Sequence, residues 1–214
     1  MALSAKAQEI YDQLDLDNPR MGDIKKIATK IKKDHELAME LWSTGEFTPR
    51  LLAVLILDKS TLDQDMIEKL VGDMANHGEA KRNRLSEWFM ANQLMKSKKT
   101  IALLESWANH KLPTLRRLYW YHQARLRWTG QKSPENTPHL VSEIKANLEK
   151  ESPEVQWAIN FTAGWIGVHD PQYRSELVAL GEKVGLYEDE PKVRGCTPNY
   201  LPGFIEVEVA KLEK

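Results

Sequence analysis

Four residues in the middle of the chain, Arg117, Tyr121, Arg125 and Trp128, fall at i, i+4, i+8 and i+11. On a helix that spacing sets cations and rings alternately along one stripe. Such a stripe suits a polyanion, because guanidinium groups neutralise phosphates while ring faces meet bases or sugars. Further cations accompany it: Arg116 beside Arg117, then Lys81, Arg82 and Arg84 upstream, and Arg50 earlier still. The same residue types also have an ordinary reading, in which a charge run is a solvated face and aromatics at helical spacing fill a core. An acidic protein partner would fit these cations as well.

Other chemistries are poorly supplied. The six histidines, at 35, 77, 110, 122, 139 and 169, include no pair at metal-ligand spacing on one helical turn. No metal and no cofactor are therefore expected. His122 has no carboxylate or hydroxyl partner identifiable in sequence, and a surface histidine is expected there rather than an acid or base. Cys196 is the one cysteine, so it closes no internal disulfide, and it is read as structural. The longest apolar run, Leu51 to Leu57, is too short for a bilayer, and the N-terminus has no long apolar stretch. A monomeric cytoplasmic protein without a membrane partner is the expectation.

The elements that position the stripe come from the apolar pattern. With 214 residues, 42% of them hydrophobic, the chain can bury a sizeable core, which excludes disorder. Apolar positions recur at three and four, with Gly and Pro between such stretches, and this predicts an all-α fold. Helices are expected at roughly 4–14, 22–33, 35–43, 47–58, 62–76, 79–95, 98–109, 113–129, 136–150, 153–167, 171–185 and 203–212. Leu51 to Leu57 reads equally as a buried strand, and its helical neighbours decide for helix. From residue 35 the helices group in pairs whose second members begin near 47, 79, 113 and 153, the period of a HEAT-like α-α superhelix. We expect a single domain over 1–214, with a cap helix in 1–20 and a loop over 186–203 before a closing C-terminal helix.

Charge is sorted along this array. The formal net charge of −1 divides into −3 over 1–19, +8 over 20–132 and −6 over 133–214. The first helix of the second pair carries Asp63, Asp65, Glu68, Lys69 and Asp73, whereas the following second helix and its exit carry Lys81, Arg82, Arg84, Lys96, Lys98 and Lys99 against Glu79 and Glu87. The next second helix carries Arg116, Arg117, Arg125, Arg127 and, at its exit, Lys132, with no acid. First and second helices of a solenoid form opposite surfaces, so a curved array with a basic concave surface is expected.

Three stretches together resemble the DNA alkylation repair family, the AlkD-like HEAT-repeat DNA glycosylases. These are MGDIKKIATKIKKDHELAMELW from Met21 to Trp42, continuing through Thr44-Gly45-Glu46 and Arg50-Leu51-Leu52-Ala53; WANHKLPTLRR from Trp107 to Arg117; and QWAINF from Gln156 to Phe161. The tail RGCTPNY, Arg194 to Tyr200, with Pro202 and Ile205, is similar to a C-terminal signature in part of that family. The resemblance implies a grip on double-stranded DNA and excision of cationic N3- or N7-alkylated purines by hydrolysis of the N-glycosidic bond. Active members use two tryptophans, an aspartate and a nearby arginine. By position the first tryptophan matches Trp88, the aspartate matches Asn92, the arginine matches Arg117 and the second tryptophan matches Phe161.

Two of these positions depart from the pattern. Phe161 keeps a ring with a weaker face for a cation. Asn92 has no formal charge to set beside a developing oxocarbenium ion, a loss of about 3 kcal/mol of transition-state stabilisation. No nearby acid replaces it: Glu87 points about 140° around the helix from Asn92, and Glu154 stands at a helix start, where it compensates the dipole. A noncatalytic repeat module for damaged or branched DNA fits the same resemblance. Trp42, Trp107, Trp157 and Trp165 are expected to be packing residues.

Overall fold

The computed structural model describes residues 3–129, 135–191 and 193–213, and Gly130, Lys132 and Lys192 lie outside them. The described residues form twelve α-helices and three short 3-10 turns, and no strand. The helices are α1 (Ala5–Tyr11), α2 (Met21–Ile31), α3 (His35–Ser43), α4 (Phe47–Ile56), α5 (Gln64–Met74), α6 (Glu79–Asn92), α7 (Lys98–Glu105), α8 (Pro113–Trp128), α9 (Thr137–Asn147), α10 (Pro153–His169), α11 (Pro171–Val184) and α12 (Leu201–Leu212). The chain divides into two compact units, Met1–Ser106 and Trp107–Lys214.

In the first unit α4 is the central element, packed against α2, α3 and α6. Its residues from Phe47 to Val54 are all buried, which is why the run from Leu51 can be continuously apolar and still be a helix. Side-chain caps begin several neighbours: Asp34 accepts from Leu37 N, Asp63 from Met66 N and Ser97 from Thr100 N. The helix expected from residue 62 begins instead at Gln64, capped by Asp63, because residues Lys59–Thr61 form a separate 3-10 turn.

In the second unit α10 is the hub, in contact with α8, α9, α11 and α12. Proline stands at the first turn of α8, α10 and α11, where its missing N–H costs no helix hydrogen bond. The segment after Gly185, expected as a loop, returns the chain to α10. Asn160 Nδ2 donates to the Asn199 carbonyl at 2.7 Å. Helix α12 then seats against three glycines: a Cβ placed on Gly164 would meet the Phe204 ring at 2.5 Å, one on Gly167 Ile205 Cδ1 at 2.5 Å, and one on Gly181 Pro202 Cδ at 2.7 Å.

His122 and Cys196 depart from expectation. His122 is 1% exposed, inside α8 rather than on the surface, and burial with Arg125 as a like charge lowers its pKa to about 4. Cys196 is exposed and free, so it contributes nothing to packing.

Candidate nucleic-acid interface

Trp88 and Asn92 belong to the first unit, Arg117 and Phe161 to the second. On α6, Lys81, Arg84, Trp88 and Asn92 recur at i, i+3, i+7 and i+11, within a sector of about 80°. This face is fixed against α4 by polar contacts. Trp88 Nε1 donates to the Leu51 carbonyl at 3.0 Å, and the buried Gln93 amide donates to the Val54 carbonyl at 2.5 Å. Val54 lies in the last turn of α4, where a carbonyl has no partner of its own within the helix. Asn92 Nδ2 donates to the Trp88 carbonyl at 2.8 Å, one turn back, so the two side chains share a face as their spacing required. The half-buried ring of Trp88 carries a cation from another helix, with Lys25 Nζ of α2 5.3 Å from its centroid.

The basic end of α6 faces an open cavity of about 990 Å³, bounded by the 13–20 turn, α2 and the first residues of α4. Lys81, Arg84 and Arg20 line it together with Asp15, Asp17 and Asp23, so its charges are mixed. Asp23 is held by Lys26 at 2.9 Å, a pairing that lowers its pKa. Lys81 also lies over the Phe47 ring at 5.7 Å, and Arg82 is half-buried on the adjacent side of α6.

Arg50 is a correction. It is 4% exposed and donates from Nε to the Trp42 carbonyl at 3.3 Å and from Nη1 to the Asp73 carbonyl at 2.6 Å. Nη1 also lies 3.0 Å from His77 Nε2, which must accept because a guanidinium only donates. Burial and the adjacent Arg50 and Lys81 charges lower the His77 pKa, which keeps that nitrogen free to accept. Arg50 therefore joins α3, α4 and the end of α5 rather than meeting a phosphate.

The second unit assembles the aromatic part of the expected stripe. Tyr121 and Trp128 on α8 lie edge to face at 5.4 Å, and Phe161 of α10 stacks on Tyr121 at 5.8 Å with the rings 13° from parallel. Trp157, one turn before Phe161, stacks on it at 5.0 Å and on Tyr121 at 6.1 Å. Trp165, one turn after, touches Trp128 at 5.8 Å and Phe204 at 5.5 Å. Tyr121, Trp128, Trp157, Phe161 and Trp165 are all half-buried, so these rings form a continuous surface with part of each open to solvent.

Cations contribute less to this surface than their spacing suggests. Arg117 is 3% exposed, with its guanidinium carbon 4.7 Å from the Trp157 ring and 6.0 Å from Tyr121, and so backs the rings from within. Arg116 is a second correction. It forms a two-pronged ion pair with Glu151, with both N···O distances 2.8 Å, and donates to the His110 carbonyl at 2.7 Å, closing the turn before α8 onto the turn before α10. Arg127 is also internal, donating to the Gln123 carbonyl and Thr137 Oγ1. Arg125 is half-exposed and has no acid partner among the described residues.

Trp42 and Trp107 are buried packing residues, as expected. Trp157 and Trp165 instead flank Phe161 within the aromatic surface. The signal was present: 157, 161 and 165 are i, i+4 and i+8 on α10, the counterpart of the stripe on α8. The C-terminal segment reaches this surface too, since Trp157 Nε1 donates to Asn199 Oδ1 at 3.3 Å and Asn199 Nδ2 donates to Glu190 at 2.8 Å.

Paired helices with no strand among the described residues, bearing half-open rings and cations on their second members, define the class as an all-helical repeat protein. The DNA alkylation repair enzyme family matches residues 16–182, and the chain belongs to that family. No curated protein matches the chain. A solved structure, described as a new family of proteins related to the HEAT-like repeat DNA glycosylases with affinity for branched DNA structures, is 19% identical. It superposes with a TM-score of 0.66 over 99% of this chain and 89% of that one, and this establishes the HEAT-like repeat fold.

Proposed function

We propose that this chain binds duplex DNA through the α6 face of its first unit and the ring surface of α8 and α10 in its second. The observation that carries the reading is that surface: Tyr121, Trp157 and Phe161 mutually stacked, with Arg117 against Trp157. Stacked, half-open rings meet bases or sugars without regard to sequence, and Lys81, Arg84 and Arg125 supply charge for phosphates. Family membership supports DNA as the polyanion, and the branched-DNA affinity described for the solved relative makes distorted or branched duplexes the substrates to try first.

We read the protein as a binder rather than a glycosylase. Asn92 offers only an amide where a carboxylate would stabilise a developing oxocarbenium ion, and its Nδ2 is already committed to the Trp88 carbonyl. Electrophoretic shifts over a salt series, with linear and branched duplexes, test the binding. We expect affinity to fall steeply as salt rises, and to fall further in Trp157→Ala and in Lys81→Gln/Arg84→Gln. Unaltered binding in both variants would remove these surfaces from the interface. Release of free base from duplex containing 7-methylguanine, above background, would overturn the noncatalytic reading.

A further inference from the structure

Lys25 and Trp88 come from different helices and lie far apart in sequence, yet the Lys25 ammonium stands 5.3 Å from the indole centroid. The other charges of α2 do not draw it there. Asp23, the one acid of α2, is engaged by Lys26, and Asp58 is engaged by Lys33 just beyond the helix, both at 2.9 Å. On α6, Glu87 is turned about 100° around the helix from Trp88, and Asn92, which shares the face of Trp88, is uncharged. The negative face of the indole therefore already holds one cation, and α6 itself sets no acid at the turn-spaced positions Arg84 and Asn92 on that face.

We propose that Lys25 is a specificity-determining residue of the α6 face. By occupying the ring face of Trp88 it disfavours a cationic alkylpurine there and equips the same face for a phosphate of the DNA backbone. The inference rests on the DNA-binding reading above. A positively charged purine stacking on Trp88 would have to displace the ammonium or sit beside it. An exposed cation–π contact corresponds to about a two- to fivefold effect on binding. A phosphate gains from the same ammonium, whose four-carbon stem and exposed position leave it free to turn toward the backbone.

The test compares wild type, Lys25→Met and Lys25→Arg on matched duplexes containing guanine or 7-methylguanine, read by fluorescence anisotropy across a salt series. Lys25 is exposed on α2, so these variants fold. Wild type and Lys25→Arg are expected to show no preference for the methylated duplex. Lys25→Met is expected to shift the ratio two- to fivefold toward it, and to lower the salt slope on unmodified DNA by about one. An unchanged ratio in Lys25→Met, or a wild-type preference for the methylated duplex, overturns the proposal. If no variant binds duplex, the DNA-binding reading itself falls, and titration with free 7-methylguanosine decides about Lys25. Tighter binding by Lys25→Met than by wild type upholds its role, and equal binding refutes it.

Discussion

Gly164→Ala sets the intrinsic preference of a helix against the seat of α12. Built on the Gly164 backbone, a Cβ lies 2.5 Å from Phe204 Cδ1 and 2.7 Å from Cε1. Carbon atoms rest at about 3.5–4.0 Å, so the ring must withdraw by roughly 1 Å. It has little freedom to do so, because it meets the edges or faces of Phe161 at 5.7 Å and Trp165 at 5.5 Å. Overpacking costs about 1–3 kcal/mol, and a ring boxed on both sides belongs at the upper end. Alanine in place of glycine in a helix returns about 1 kcal/mol, which leaves a net loss of about 2 kcal/mol. With a urea slope of about 2 kcal/mol/M, the unfolding midpoint followed by circular dichroism should fall by about 1 M. Gly72→Ala is the control: it is exposed on α5 with nothing within 4 Å of a Cβ, and its midpoint should hold or rise. A Gly164→Ala midpoint at or above wild type would refute the argument, since the helix preference would then have prevailed and Phe204 would not be clamped.

Three further outcomes follow from single residues. Arg116→Ala and Arg116→Lys should both lower the unfolding midpoint, because a lysine cannot reproduce the two-pronged pairing with Glu151, and an unaffected Lys variant would show that charge alone suffices. His122 stays neutral in the fold down to about pH 4, whereas the unfolded chain takes up its proton near 6.5. Its contribution to stability is therefore full above pH 6.5 and is lost as the pH falls from there toward 4, by at most about 3 kcal/mol. Urea midpoints for His122→Leu should lose the part of the acid decline that falls in that window, and an identical decline would exclude His122 as its source. Arg50→Met should destabilise the first unit by about 1–3 kcal/mol by removing the buried guanidinium's hydrogen bonds to the Trp42 and Asp73 carbonyls and to His77 Nε2, and a neutral result in thermal unfolding would contradict the assigned role.

The sequence was most informative where the determinants are local. Periodicity, caps and prolines mark all twelve helices, since each signal is complete within a turn or two. Even the apolar run at Leu51 is settled by its place between helical stretches. The aromatic half of the stripe was legible for the same reason, because Tyr121 and Trp128 share a face by spacing alone. Cation exposure was not, as it depends on residues far along the chain. Arg116 is claimed by Glu151, Arg50 by the Asp73 carbonyl, and Arg117 is covered by Trp157, none of which lies within one helical turn of its partner. A periodic pattern gives the side of the helix on which an arginine stands, but not what the next helix sets against it. The resemblance points to Phe161 alone, although the neighbouring turns of α10 carry rings of the same kind in Trp157 and Trp165.

The glycines of α10 and α11 are voids cut to the outline of a later part of the chain. Phe204 fills one of them while also touching Phe161, so the last twelve-residue helix acts as a buttress behind the ring surface. A shortened protein ending near Val184 would keep the whole of the matched family region, yet would be left with an apolar trench beside that surface and no edge support for Phe161. Solubility and ring order would then decline together, although no residue of the surface itself had been touched.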